Sequence, residues 1–202
     1  MESEIVMLTL PVNNNHDHIQ GPTNAPVTLL EHGDYECPYC GQAYVIIKEV
    51  QKYIGQKLRF AFRNFSLTQV HPHAQQAAEA AESSGGENKF WEMHDCLYEH
   101  QQALDDKHLE TYAALLVLDL AQFIYDMSNH VYLGRVREDF LSGILSGLNG
   151  TPTFYINGIR YNGSWDLETL LEALTSLSRK AYDSIITCIP ICLRNSRLRI
   201  FN

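Results

Sequence analysis

The chain has 202 residues, enough for one large domain or a small domain carrying an insert, and its composition, 45% hydrophobic and 19% charged, is that of a globular protein. A net charge of −9 argues against non-specific nucleic-acid binding and against adhesion to an anionic membrane surface. Five cysteines are too few and too unevenly placed for a disulfide-stapled scaffold. The first residues carry acids and no Lys or Arg, and the apolar run Ile5 to Leu10 is short. That is not a secretory signal, and no stretch approaches the length of a membrane-spanning helix. The expectation is a cytoplasmic protein.

In chain order, residues 5–12 read as an edge strand, and residues 13–26, rich in Asn, Gly and Pro, read as a loop. Val27 to His32 is β-branched and apolar enough for a buried strand. A helix follows, with Cys40, Ala43, Tyr44, Ile47, Val50 and Ile54 on one face, Pro38 at its first position and Gly55 as its stop. Leu58 to Arg63 alternates as a second strand. From residue 67 to 148 the period is helical. An Ala-rich segment at 72–84 is broken by Gly85-Gly86, and helices follow at 88–101, from Asp105-Asp106, at 119–129 and at 131–146. Two β-type runs then flank Asn157-Gly158, a strong hairpin signal. Leu167, Leu170, Leu171, Leu174 and Leu177 define the core face of a last amphipathic helix.

Cys37-Pro38-Tyr39-Cys40 sits at the first strand-to-helix junction. Free N–H groups and the macrodipole at a helix N-terminus stabilise an anion, and the thiolate is the reactive form of cysteine. Cys37 is therefore expected to be the exposed attacking sulfur with a lowered pKa, and Cys40 the covered, resolving one. A structural zinc site and a structural disulfide are the bland alternatives for such a pair. Glu31 shares a strand face with Val27 and Leu29, so it is expected to point into the core with a raised pKa. His32 alternates to the opposite face, and Asp34 is expected to shape the loop. His71, His73 and His94 form no recognisable ligand set and read as caps or packing; no metal is expected. Cys96 reads as a buried small hydrophobe.

The order strand, helix, strand, helical block, hairpin, helix is that of a thioredoxin fold split by a helical insertion between its βαβ and ββα halves. Over residues 24–178 the chain resembles the DsbA-like branch of the thioredoxin superfamily. The resemblance is carried by Ala25-Pro26-Val27-Thr28, by Asp34-Tyr35-Glu36 leading into the cysteine motif, by His71-Pro72-His73-Ala74, by Phe90-Trp91-Glu92-Met93-His94 and by Gly150-Thr151-Pro152-Thr153-Phe154. The expected division is an N-terminal extension at 1–26, a thioredoxin-like domain at 27–66 and 149–178, an inserted helical domain at 67–148, and a tail at 179–202. No resemblance covers the tail, whose Cys188 and Cys192 flank Pro190 and raise the possibility of a second redox pair.

The resemblance implies a cis Pro152 facing the cysteines, with the Thr151 backbone offered to an extended substrate. It also places the acid Glu31 beneath the resolving thiol, as a proton acceptor for Cys40. Pro38 and Tyr39 would contact substrate. Tyr39 departs from the histidine common in DsbA-type oxidants and is typical of glutaredoxins. The activity implied is thiol–disulfide exchange with protein thiols or disulfides, without a cofactor, recycled by glutathione or a protein reductant, and running as a reductase or isomerase. A DsbA-type dithiol oxidase is the enzymatic alternative. A non-catalytic thioredoxin-like binding module or a zinc-holding cysteine pair is the alternative of another class. No nucleic-acid or membrane partner is expected.

Overall fold

Strand β2 (Val27–Gly33) supplies the centre of a five-stranded sheet. The computed structural model describes residues 5–188. The sheet order is β1-β3-β2-β4-β5. β2 runs parallel to β3 (Leu58–Asn64) and antiparallel to β4 (Thr153–Ile156), so Glu31 lies between Phe62 and Phe154. Both neighbours of that carboxylate in the sheet are therefore aromatic, and neither offers it a charge.

β4 turns into β5 (Ile159–Tyr161) through Asn157 and Gly158, at φ 51° and 81°. Two successive positive φ values are what a two-residue hairpin of the I′ type demands, which is why Asn-Gly predicts it. The Asn157 side chain also accepts from the Thr28 N–H at 2.8 Å, tying the hairpin back to β2.

Helix α1 (Pro38–Ile54) and α7 (Leu167–Cys188) pack on one face of the sheet. Val27 and Leu29 point to that face, together with Cys40, Ile47, Leu170 and Leu174. Leu30, Ala61 and Tyr155 point to the other, where the N-terminal segment and Phe140 cover them. The insert comprises α2 (Ala74–Gly86), α3 (Phe90–Glu99), α4 (Asp106–Leu115), α5 (Leu120–Ser128) and α6 (Leu133–Leu145). Asp105 and Asp119 cap α4 and α5 by accepting main-chain N–H groups of the first turn. The apolar side chains of the insert, among them Met93, Leu97, Leu109 and Phe123, join the cluster formed by β2 and α1, so one core runs through both parts.

Three expectations about the periphery are corrected. Residues 5–12 form no edge strand; a single bridge joins Met7 to Ile159, at the opposite end of the sheet from β1. The stretch 13–26 is not all loop, because β1 (His18–Gln20) pairs antiparallel with β3. The physical cause is Arg63. It is 1% exposed, with Nε 2.6 Å from Asp17 Oδ1 and Nη2 2.9 Å from Asp17 Oδ2, and it donates to the carbonyls of Leu10 and Pro11. A buried guanidinium needs every one of these acceptors, and meeting that need pins the N-terminal segment to β3. The last helix, finally, runs on to Cys188 rather than ending near residue 178. Cys192, and with it any pairing of Cys188, lies outside the described residues.

Candidate active site

The strand β2 ends at Gly33, and the chain turns through Asp34, Tyr35 and Glu36 before α1 begins. The Cys37 N–H closes this turn on the Asp34 carbonyl at 3.1 Å. Asp34 is fully buried and acts as the hub. Its Oδ1 accepts from the Glu36 N–H at 2.8 Å, and its Oδ2 from the Leu67 N–H at 2.8 Å and from His71 Nδ1 at 2.9 Å. Glu36 in turn accepts from the His73 N–H at 2.6 Å and pairs with His73 Nδ1 at 2.9 Å. His71 and His73 are therefore neither caps nor simple packing; they hold the two acids that shape the turn. The helix α2 they precede is capped by no side chain of His73.

Gln101, a residue sequence reasoning passed over, completes the turn. Its Nε2 donates to the Tyr35 carbonyl at 2.8 Å and to the Cys37 carbonyl at 2.9 Å. The insert thus grips the start of α1 through one amide. A Cβ at Gly41 would lie 2.1 Å from Gln101 Oε1, so only glycine leaves room for that grip. Gln101→Ala is expected to cost about 1–2 kcal/mol, the usual worth of a pair of such bonds, read by urea denaturation. Nothing local marks Gln101, which lies in the turn after α3 and meets the motif only in three dimensions.

Cys37 occupies the N-cap position of α1, and Pro38 the first helical position, as the sequence implied. Tyr39 is exposed. Cys37, Cys40 and Cys96 are free cysteines. Cys37 is 4% exposed and Cys40 0%, so the attacking sulfur is not the open group that was expected. It is covered by the close approach of the Thr151 loop, whose carbonyl oxygen lies 3.6 Å from Cys37 Sγ. The Thr151–Pro152 peptide bond is cis.

The two sulfurs differ in their protonation. The polar surroundings at the start of α1, first the neighbouring Cys40 thiol and then Thr151 and the first-turn main chain, pull the Cys37 pKa down to about 5 despite burial. Cys40 goes the other way. Burial pushes its pKa well up, and holding its proton on Cys37 adds to that, although the Asp34 N–H lies 3.4 Å from its sulfur. Beneath them Glu31 is 2% exposed, and its Oε1 has no hydrogen-bond partner. Burial, and then the charge on Cys37, push its pKa up to about 8.

His32 is fully buried on the opposite face, edge-on to Phe65 and Tyr155, and burial lowers its pKa to about 4, so it is a neutral packing group. His94 is likewise kept neutral by burial and sits 3.1 Å from the Tyr35 hydroxyl among aromatic rings. Cys96 is half-buried rather than buried, and lies 3.8 Å from His100 Nδ1. Among the described residues one cluster, His16, Asp17 and Asp139, has the spacing of metal ligands. Arg63 and Arg135 already pair with its two carboxylates, which is the wrong electrostatics for a cation.

One thiolate poised to attack beside a second thiol held in reserve is the working asymmetry of a thiol–disulfide oxidoreductase, and the fold around it is the thioredoxin fold. The family follows directly: the thioredoxin family model matches residues 13–176, and the chain belongs to that family. Among solved structures it is similar to oxidised BdbD from Bacillus subtilis, with a TM-score of 0.73, 22% identity and coverage of 83% of this chain and 95% of that one. It is similar also to alpha-DsbA1 from Wolbachia pipientis, with a TM-score of 0.74, 18% identity and coverage of 88% and 98%. A curated relative from Salinispora arenicola, named Na(+)/H(+) antiporter NhaA 1, is 45% identical over 172 residues, which are 85% of this chain and 26% of that protein. The chain thus spans about a quarter of the length of the curated relatives it matches.

Proposed function

We propose that the protein exchanges disulfides in protein substrates, in the direction of reduction and reshuffling, with Cys37 as nucleophile, Cys40 as resolving thiol and Glu31 as proton acceptor. The observation that carries this reading is the placement of the two sulfurs, Cys37 at the N-cap of α1 against the Thr151 carbonyl and Cys40 wholly buried in the first turn. The Cys37 thiolate attacks one sulfur of a substrate disulfide. A Cys37–substrate disulfide forms, and the other substrate sulfur leaves as a thiolate. Cys40 then passes its proton to Glu31 and attacks Cys37. The mixed disulfide breaks, the second substrate sulfur leaves, and two electrons have moved from the dithiol to the substrate. Pro38, the exposed Tyr39, Thr151 and Pro152 surround the sulfur and are the groups a substrate chain would meet. Holding zinc at this pair is disfavoured, because a zinc site takes three or four protein ligands and, among the described residues, no group of three or more such ligands includes these cysteines.

The direction follows from the acidity of Cys37. Thioredoxin, at a thiol pKa of about 7, lies near −270 mV, and DsbA, at about 3.5, near −120 mV. A value of about 5 falls between them, so the pair is expected to be less oxidising than DsbA and less reducing than thioredoxin. In a compartment poised like cytosolic glutathione, where we place the protein, such a pair is held reduced and ready to attack, with glutathione or a protein reductant restoring it. Equilibration against glutathione buffers, read by mass after alkylation, tests this. A potential more positive than about −150 mV would make the protein a dithiol oxidase instead.

A further inference from the structure

A cavity of about 320 Å³ lies beside the cysteine motif and takes no part in the electron transfer described above. Glu36 and Pro38 line it from the turn and the start of α1, His71 and His73 from the segment before α2, and Leu104 and Asp105 from the segment before α4. Pro38 follows the attacking cysteine directly, so the cavity adjoins the place where a substrate disulfide must arrive. Its volume is at the low end of small-ligand sites, which run from about 300 to 1,000 Å³. That is room for one long side chain.

The polar edges of this cavity are hydrogen-bond acceptors. Asp34 and Glu36 each face an Nδ1 of His71 and His73, at 2.9 Å in both cases. A neutral imidazole that donates from Nδ1 has only a lone pair to offer at Nε2. No described residue bonds either Nε2. Holding the turn together accounts for the Nδ1 atoms of these rings and leaves the Nε2 atoms without a task. Gln101, which also lines the cavity, spends its amide N–H groups on the Tyr35 and Cys37 carbonyls. Glu36 and Asp105 add two carboxylates, with side chains 20% and 51% exposed. The second is shared with His108, whose Nδ1 lies 2.6 Å from Asp105 Oδ2. Among the described residues no Lys or Arg lines the cavity. Pro38 and the buried Leu104 supply apolar surface.

An apolar stem that ends in a positive, donor-only head matches this lining, and those are the properties of lysine and arginine. We propose that the cavity is a substrate subsite that takes a basic side chain flanking the reactive cysteine of a protein substrate. It rests on the assignment of thiol–disulfide exchange above, and it names the substrate class: proteins whose exchanged cysteine has a lysine or arginine close by in the chain. The substrate sulfur meets Cys37 while the basic side chain crosses Pro38, lies along Leu104 and brings its N–H groups to the Nε2 atoms and the Glu36 carboxylate. An acidic side chain at the same position meets only acceptors and like charge, so the subsite selects by repulsion as well as by attraction.

The test uses the reduced full chain and symmetrical disulfides of short single-cysteine peptides. One flanking position at a time carries Arg, Gln or Glu, and second-order rate constants for reduction are read by quenched alkylation and mass. We expect Arg at one flanking position to be favoured over Gln by about tenfold, the usual worth of a hydrogen bond to a charged group. Glu at that position should be slower than Gln, and the differences should shrink as ionic strength rises. A general attraction to the net charge of −9 would favour Arg equally at every position. That flat result, like equal rates for the three residues, would overturn the subsite. Glu36→Gln removes a charge and keeps an oxygen for the His73 N–H, and should cut the Arg/Gln ratio to about threefold. Asp105→Asn, which preserves the cap of α4, should lower the same ratio on its own if Glu36→Gln does not fold. Each ratio compares two peptides on one protein, so any change in Cys37 reactivity cancels. An unchanged ratio in both variants would also overturn the proposal. If no peptide is reduced faster by the wild type than by Cys37→Ser, the exchange activity fails and the subsite with it; if all peptides are reduced alike, only the subsite fails.

Discussion

Cys37→Ser is expected to reduce disulfide exchange to the uncatalysed background, whereas Cys40→Ser is expected to keep the first attack and accumulate mixed disulfides. The asymmetry follows from the thiol pair itself. Donation from Cys40 and the helix N-terminus stabilise the Cys37 anion, and its pKa of about 5 leaves it ionised at any pH above mildly acidic. Cys40 is fully buried and holds its proton, and burial also raises the pKa of Cys96. Alkylation at pH about 6 should therefore label Cys37 first, with a rate that half-titrates near the same low value. Faster labelling of Cys40 or Cys96 would refute the assignment. In the Cys40→Ser variant the serine hydroxyl keeps a hydrogen-bond donor but removes the resolving nucleophile. Trapped substrates should then stay attached to Cys37 and be identifiable by mass, and they would supply the protein partners directly.

Glu31→Gln carries the second large effect, on stability and on its pH dependence. The folded protein holds the Glu31 proton up to pH about 8, whereas a free carboxyl loses it near 4.5. Between those values the unfolded state binds fewer protons than the folded one, so this group makes stability fall as pH rises through the window. At about 1.4 kcal/mol per pH unit, the loss between pH 5 and 7 is on the order of 3 kcal/mol. Cys37 acts in the opposite sense. Its depressed pKa gives reduced protein stability that is present above the ordinary thiol value and lost as pH falls toward 5, so the two contributions oppose each other in the dithiol form. The disulfide form removes the Cys37 contribution and, with it, part of the cause of the Glu31 shift. In that form wild type should still lose stability from pH 5 to 8, by a smaller amount, while Glu31→Gln should be nearly flat. The variant should be the more stable at pH 7, by about 2 kcal/mol, and should resolve mixed disulfides about a hundredfold more slowly. Urea denaturation across pH, together with single-turnover resolution, measures both. Parallel stability profiles for wild type and variant would contradict the buried, protonated carboxyl.

Much of the site could be taken from the chain alone because its determinants are local. The Cys-Pro-Tyr-Cys spacing, a strand before it and an apolar helical face after it place both sulfurs at a helix N-terminus whatever the rest of the fold does. Strand alternation puts Glu31 on the face of Val27 and Leu29, and the structure finds all three buried there. Asn157-Gly158 determines its own hairpin through backbone conformation, and the leucines of α7 determine which side of that helix is covered.

What only the tertiary structure decided are the contacts between segments far apart in sequence, none of which leaves a periodic trace. In sequence Arg63 is only the last residue of an alternating strand, yet Asp17 lies 2.6 Å away and makes its burial possible, which organises the N-terminal segment and creates β1. His71 and His73 became partners of Asp34 and Glu36 only once the insert had folded back over the turn. Gln101 reaches the Cys37 carbonyl across the same junction. Local sequence sets the conformation and polarity of each element. Which buried charge finds a partner, and which carboxylate oxygen is left without one, is settled by long-range packing, because burial is a property of the whole assembly of elements and not of any one of them.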